Sequence, residues 1–203
     1  MHPRIINPRF LIGAVHTRQF PNEETDMEIV IAGRSNVGKS SLLNALFGTR
    51  KMVKVADRPG KTQELNFFAA ELAKDEDERR SVRFVDLPGY GYARVSKDQQ
   101  KAMSRRIGDY LAAQRHRLAI LLIDLKRGPS NQDLSAFDAL CDVGSAEVVI
   151  TKGDQLARHK RKPALSALQT RMGLARPPLL TSSAKGFGIV ELTERLWCLT
   201  KEL

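Results

Sequence analysis

The sequence predicts an α/β protein: a doubly wound, mostly parallel sheet of six strands, with helices on both faces and one antiparallel edge strand. Three observations carry that expectation. Short apolar runs alternate with segments of helical periodicity along the 203 residues, the pattern of strands joined by crossover helices. Leu118 to Ile123 is an unbroken apolar run between turn signals, as a strand buried on both faces requires. The glycine-rich turn Gly33 to Ser40 lies between the apolar run Met27 to Ala32 and the helix-like Ser41 to Leu46. Such a turn converts a strand directly into a helix whose first N–H groups lie at the sheet edge.

The elements follow in order. Residues 1–26 hold three prolines, and Arg9-Phe10-Leu11-Ile12-Gly13 is their only compact apolar patch. They read as an extended arm packed on a domain formed by residues 27–203. Glu28 to Ala32 is the first strand, and the first helix, Ser41 to Phe47, stops at Gly48. Lys51 to Glu64 has no clean period and contains Pro59-Gly60, so it is a loop. Leu65 to Ala69 and Ser81 to Asp86 form a hairpin across the charged turn Lys74 to Arg80. Met103, Ile107, Tyr110 and Leu111 make 97–114 an amphipathic helix.

Beyond the strand at 118–123, Leu134, Phe137, Leu140 and Cys141 face inward from a helix over 131–143, with Gly144 as its C-cap. Glu147 to Ile150 is a strand, Leu165, Leu168 and Met172 mark a helix closed by Gly173, and Leu179-Leu180 is the last strand. The final helix, Ile189 to about Lys201, buries Ile189, Leu192, Leu196 and Leu199.

Composition narrows the function. Lys and Arg number 33 against 23 Asp and Glu, a net charge of +10. Such a bias favours an anionic partner, nucleic acid being the commonest, beside the plain alternative of a basic protein with no polyanion partner. Two basic segments stand out: Arg158-His159-Lys160-Arg161-Lys162, and Arg105, Arg106, Arg115 and Arg117. Both are expected to flank the functional edge of the sheet. Cys141 and Cys198 lack C-x-x-C spacing, so they read as buried or idle thiols outside any disulfide framework. Met1 to Phe20 carries Arg4, Arg9 and Arg18 without an apolar core, unlike a signal peptide, and no run suits a membrane span. The cytoplasm is the expected compartment.

Four segments carry chemistry. Gly33-Arg34-Ser35-Asn36-Val37-Gly38-Lys39-Ser40 has the spacing of a phosphate-binding loop, in which backbone N–H groups surround an anion. Lys39 would reach the β- and γ-phosphates and Ser40 would ligate Mg²⁺. Asp86-Leu87-Pro88-Gly89 sits at a strand end, where Asp86 can hold Mg²⁺ and Gly89 can offer its N–H to the γ-phosphate; the same tetrapeptide also suits a turn. Thr151-Lys152-Gly153-Asp154 follows a strand. There the Asp154 carboxylate can accept the ring N–H and exocyclic amine of guanine, which adenine cannot supply, although Asp154 could also cap a helix. Ser182-Ser183-Ala184-Lys185 follows the last strand, where a backbone N–H can meet the base carbonyl and Lys185 can cover the base.

Together these residues resemble the EngB-type ribosome-biogenesis GTP-binding proteins, small P-loop GTPases of the translation-associated branch. The resemblance runs from about Phe10 to the final helix. It is carried by Gly33 to Ser41 with Leu42-Leu43-Asn44, Pro59-Gly60-Lys61-Thr62-Gln63, Asp86 to Gly89 with Tyr90-Gly91-Tyr92-Ala93, Thr151 to Asp154, and Ser183-Ala184-Lys185. It implies GTP hydrolysis with Lys39, Thr62 and Gly89 at the reacting phosphate, Thr62 being a switch threonine on Mg²⁺ beside Ser40 and Asp86. It further implies a cytoplasmic role in ribosome assembly, the large subunit foremost, connected with cell division and septation. The implied partner is a ribosomal particle or its RNA, with no membrane, no DNA specificity and a monomeric chain.

Tyr90 stands where signalling GTPases carry a water-orienting glutamine, so intrinsic turnover is expected to be slow. Thr151 replaces the usual asparagine, with a looser nucleotide site as the expectation. Asn36 occupies the position that, in potassium-activated relatives, helps hold K⁺; bracing of the loop is the other reading. Two further readings stay open: a nucleotide-gated RNA-binding module whose hydrolysis is incidental, and a P-loop kinase, which would leave Thr151 to Asp154 and Ser183 to Lys185 unexplained.

Overall fold

The computed structural model describes residues 2–22, 27–53, 64–91, 96–113 and 117–202. The strands are β1 (Arg4–Ala14), β2 (Met27–Gly33), β3 (Leu65–Ala73), β4 (Arg79–Asp86), β5 (Arg117–Asp124), β6 (Ser145–Thr151) and β7 (Leu179–Leu180). The helices are α1 (Lys39–Leu46), α2 (Lys97–Ala112), α3 (Asn131–Cys141), α4 (Arg158–Arg171) and α5 (Ile189–Glu202).

All seven strands join one sheet in the order β1-β3-β4-β2-β5-β6-β7, which corrects the expected six. The additional strand lies inside residues 1–26. Its register shifts between Ile6 and Arg9 and again between Phe10 and Ile12, and each bulge breaks the period of two by which a strand is read. The expected antiparallel edge is present: β1, at one end of the sheet, pairs antiparallel with β3. Strand β3 runs against both of its neighbours, β1 and β4, while the remaining pairs are parallel. The antiparallel pairings are therefore confined to the β1 side of the sheet.

Alternation along the strands distributes two cores over the two faces. Ile29, Ile31, Leu118, Ile120 and Leu122 pack with Leu42, Leu43, Leu192, Leu196 and Trp197 of α1 and α5. Val30, Ala32, Ala119, Leu121 and Ile123 pack with Tyr110, Leu140 and Leu168 of α2, α3 and α4. Serine caps start two of these helices: Ser96 accepts from Gln99 N–H and Ser130 from Asp133 N–H.

The strand starts are fixed by a buried ionic cluster. Glu28 accepts from Arg83 Nη1 at 3.1 Å and from Tyr110 Oη at 2.7 Å, with Arg117 Nε 3.5 Å away. Arg117 also donates to the carbonyls of Tyr110 and Leu111 and lies over the Tyr110 ring. Its place corrects one sequence expectation: Arg117 is buried at the end of the sheet away from the glycine-rich loop, and Arg106 donates to the Val15 carbonyl. Desolvated guanidiniums need a carboxylate or carbonyls, so these arginines are structural. Arg115 lies outside the described residues.

Candidate functional site

The C-terminal ends of β2, β4, β5 and β6 meet at one edge, where the chain passes from β2 to opposite sides of the sheet. Gly33 ends β2 with φ 149°, and a Cβ there would stand 2.9 Å from the Leu122 carbonyl. Asn36 (φ 59°) and Gly38 (φ 112°) then turn the loop through left-handed conformations into α1. No side chain caps the start of α1 and no acidic residue lies in its first turn. Its leading N–H groups and positive dipole end suit an anion.

Lys39 reaches back over this loop, its Nζ donating to the Gly33 carbonyl at 3.5 Å. Burial lowers its pKa, against the pull of Asp86. Asp86, at the end of β4, is pushed up to about 6 by burial, with Lys39 holding it down. Among the described residues, Asp86 Oδ1 and the Ser35 hydroxyl are buried without a hydrogen-bond partner. Two orphaned oxygens beside a desolvated ammonium form a donor set that calls for a polar ligand.

Leu87 extends the β2–β4 pairing through its N–H to the Ile31 carbonyl at 3.0 Å. The next turn brings Gly89 against the loop so closely that a Cβ would lie 2.9 Å from Lys39 Nζ and 3.0 Å from the Ser35 backbone. Only glycine permits that approach.

The second half of the edge is tied to the first. Thr151 is buried and donates to the Val37 carbonyl at 2.7 Å. A short side chain is what fits between β6 and the glycine-rich loop. Lys152, in a left-handed conformation (φ 57°), donates to the Asn36 carbonyl at 2.6 Å and to Asp124 Oδ2 at 2.9 Å. Asp154 accepts from the Ser182 hydroxyl, and Ser182 Oγ accepts the Lys185 N–H at 3.2 Å. Gly153 seats this turn on the last strand: its N–H donates to the Thr181 carbonyl at 3.0 Å, and a Cβ would come 2.8 Å from Leu180 Cδ1. Ser183, Ala184 and Lys185 continue outward, the last two exposed.

Gly33 to Ser41, Asp86 to Gly89, Thr151 to Asp154 and Ser182 to Lys185 thus share one edge, whereas Pro59, Gly60, Lys61 and Thr62 lie outside the described residues. Sequence reasoning missed Asp124, which accepts from Lys152 and from the N–H groups of Lys126 and Arg127. A lone carboxylate directly after the apolar run Leu118 to Ile123 was the available signal. It also missed Asp133, which accepts from Tyr90 Oη at 2.7 Å; the Ser130-x-x-Asp133 spacing of a capping box marked it.

Beside Asp154, α4 begins with Arg158, His159, Lys160 and Lys162 exposed. Arg161 differs, donating to the Leu156 carbonyl at 2.9 Å and lying over the Phe187 ring. The two cysteines are free and exposed, which corrects the alternative of burial. No described helix is long and apolar enough to cross a membrane.

A family model described as 50S ribosome-binding GTPase matches residues 28–152. The chain is 38% identical over 193 residues to the probable GTP-binding protein EngB of Myxococcus xanthus (strain DK1622), covering 93% of this chain and 92% of that relative. A solved structure of a probable GTP-binding protein EngB matches with a TM-score of 0.66 at 23% identity, over 87% of this chain and all of that one. Era in complex with MgGDPNP and nucleotides 1506–1542 of 16S ribosomal RNA matches with a TM-score of 0.66 at 22% identity, over 88% of this chain and 57% of that one. At these identities the structural likeness is one of fold, while the family model and the sequence relative reach further: the chain belongs to the EngB family of GTP-binding proteins and is a GTPase.

Proposed function

We propose that the chain is a slow guanine-nucleotide switch that gates its own docking on an assembling ribosomal particle, the large subunit foremost. The observation that carries the nucleotide half is the continuous bonded edge from Lys39 through Asn36 and Lys152 to Asp154 and Ser182. It brings a helix start suited to an anion and a carboxylate to one sheet edge, which supports a nucleoside triphosphate as the ligand.

In this reading the N–H groups of 35–41 and Lys39 hold the β- and γ-phosphates, and Gly89 N–H meets the γ-phosphate. Asp154 accepts the guanine N1–H and amine, with Lys152 and Ala184-Lys185 bordering the base. The residues fit a magnesium ion, since Asp86 offers a buried unpartnered oxygen and Ser40 a hydroxyl in the first turn of α1; Thr62 completes the set by resemblance. When bound, Mg²⁺ neutralises charge on the phosphate oxygens. Tyr90 cannot orient an attacking water, because its hydroxyl is committed to Asp133. Turnover without a partner should therefore take minutes or longer, on the scale of about 10⁻³ per second or slower. Asn36, exposed at the turn of the loop, is the residue on which potassium acceleration would depend.

The ribosomal half is supported by the family description, the net charge of +10 and the exposed basic start of α4. Arg158, Lys160 and Lys162 surround a helix start with no side-chain cap and no acidic residue, an arrangement that repels cations and suits phosphates. A single copy acting in the cytoplasm, with residues 27–203 as the GTPase domain and 1–26 as an accessory segment, completes the proposal.

Co-sedimentation with ribosomal subunits, in GDP and in a nonhydrolysable GTP analogue across a salt series, tests it. The analogue should favour binding to large-subunit particles. Replacing Arg158, Lys160 and Lys162 by alanine should weaken association and flatten its salt dependence, because lost phosphate contacts release fewer counterions, while GTP binding survives. Equal association in both nucleotides would refute gating. Turnover unchanged by any ribosomal particle would favour an RNA-binding module whose hydrolysis is incidental.

A further inference from the structure

Tyr90 follows the Gly89 corner directly and is tied to two elements. Its carbonyl accepts the Ser35 N–H at 2.9 Å, within a short parallel bridge to Arg34. Its hydroxyl donates to Asp133 Oδ1 at 2.7 Å. That acceptor is immobile: Asp133 is 1% exposed, and its Oδ2 accepts both the N–H and the hydroxyl of Ser130 at 2.7 Å. Asp133 also sits in the first turn of α3, where the positive helix end favours a carboxylate. Burial, and then the bond to Asp133, push the Tyr90 phenol well above its ordinary range. The phenol stays protonated and remains a donor.

A side chain so committed has another use than activating water. Gly89 lies against Lys39 and Ser35 with no side chain of its own to hold it there. Tyr90 supplies the hold, through its backbone on the phosphate loop and through its side chain on α3. We infer that Tyr90 is a positioning residue for γ-phosphate recognition, anchored by Asp133, which presets the Gly89 N–H and carries any displacement of that corner to the start of α3. The inference rests on the reading that Gly89 meets the γ-phosphate. Without the tether the corner must be ordered at the moment of binding, an entropic cost that falls on GTP alone.

Tyr90→Phe keeps the ring and deletes one oxygen. Equilibrium titrations with a nonhydrolysable GTP analogue and with GDP should show the analogue weakened about tenfold, the worth of one partly exposed hydrogen bond to a charged acceptor, with GDP unchanged. Asp133→Ala should lower the analogue-to-GDP ratio by a similar factor, and the double variant should lower it no further, since both changes break one bond. The inference is overturned if Tyr90→Phe leaves the ratio unaltered, if GDP weakens in parallel, or if the two losses multiply. Gly89→Ala in the same assay separates the two levels. A lowered ratio there with an unaltered one in Tyr90→Phe would remove the tether and leave the Gly89 reading standing. An unaltered ratio in Gly89→Ala would remove both.

Discussion

Gly89→Ala adds one methyl group at a crowded point of the nucleotide edge. The new Cβ would stand 2.9 Å from Lys39 Nζ and 3.0 Å from Ser35 N and Cα, where unstrained contacts begin near about 3.5 Å. Lys39 could swing its terminal atoms aside. Ser35 cannot, because the obstructing atoms are backbone and its N–H is held by the Tyr90 carbonyl at 2.9 Å. The corner must therefore retreat by about 0.5 Å, which stretches a Gly89 N–H bond to a phosphate oxygen from about 2.9 to about 3.4 Å and forfeits most of it. A hydrogen bond to a charged oxygen is worth roughly 1.5–3 kcal/mol, so the GTP analogue should weaken by about 10- to 100-fold. GDP, lacking the γ-phosphate, should be held as before. Isothermal titration with both nucleotides at fixed magnesium reads the two constants directly. A variant that binds the analogue as tightly as the unaltered protein, or loses GDP to the same degree, refutes the reasoning.

The remaining predictions address the base, the buried charges and the turnover. Asp154→Asn should exchange an acceptor for a donor and shift preference from guanine to xanthine nucleotides, with GTP weakened by about 100-fold; equal affinity of the unaltered protein for ATP and GTP would sink the assignment. Glu28→Gln removes the charge that Arg83 and Arg117 share at 3.1 and 3.5 Å and should cost about 3 kcal/mol. Urea melts should show that loss while GDP affinity in the folded protein is unchanged, the cluster being at the other end of the strands. Asp86, raised from 3.8 to about 6 by burial, disfavours the fold once ionised. In protein stripped of nucleotide and metal its contribution is fully present below pH 4 and lost by pH 7, about 3 kcal/mol in all; a stability-against-pH slope unaltered in Asp86→Asn would contradict this. If Asn36 holds a cation, turnover should be faster in potassium than in sodium and Asn36→Ala should erase the difference, whereas equal rates in both salts dismiss the cation.

What could be read from residues alone was whatever is written in local spacing. Leu118 to Ile123 announces a central strand, and its alternate side chains do enter opposite cores. Glycines 33 and 38 announce the loop because left-handed and crowded backbone has few other solutions. Strand β1 escaped because two bulges erase its alternation and Pro8 falls inside the first of them. The contacts that complete the site escaped for a different reason: Tyr90 and Asp133 are 43 residues apart and Asp124 and Lys152 are 28 apart. Sheet order alone makes them neighbours. Charge runs were the least legible, since Arg117 and Arg158 look alike in sequence, yet one is buried under Glu28 and the other faces solvent.

The irregular outer strand bears on how the protein is made. Strand β3, with its run Asn66-Phe67-Phe68-Ala69-Ala70, offers β4 one side of its backbone and would offer the other to any extended chain nearby. Strand β1 occupies that side, and is itself a poor template for another strand: it is broken in register twice, turned left-handed at Asn7, and charged at Arg4 and Arg9. It also leaves the ribosome before β3 and β4 do. The cover is synthesised before the sticky hairpin that it covers, so a nascent chain carries its own guard against mispairing with its neighbours on a polysome.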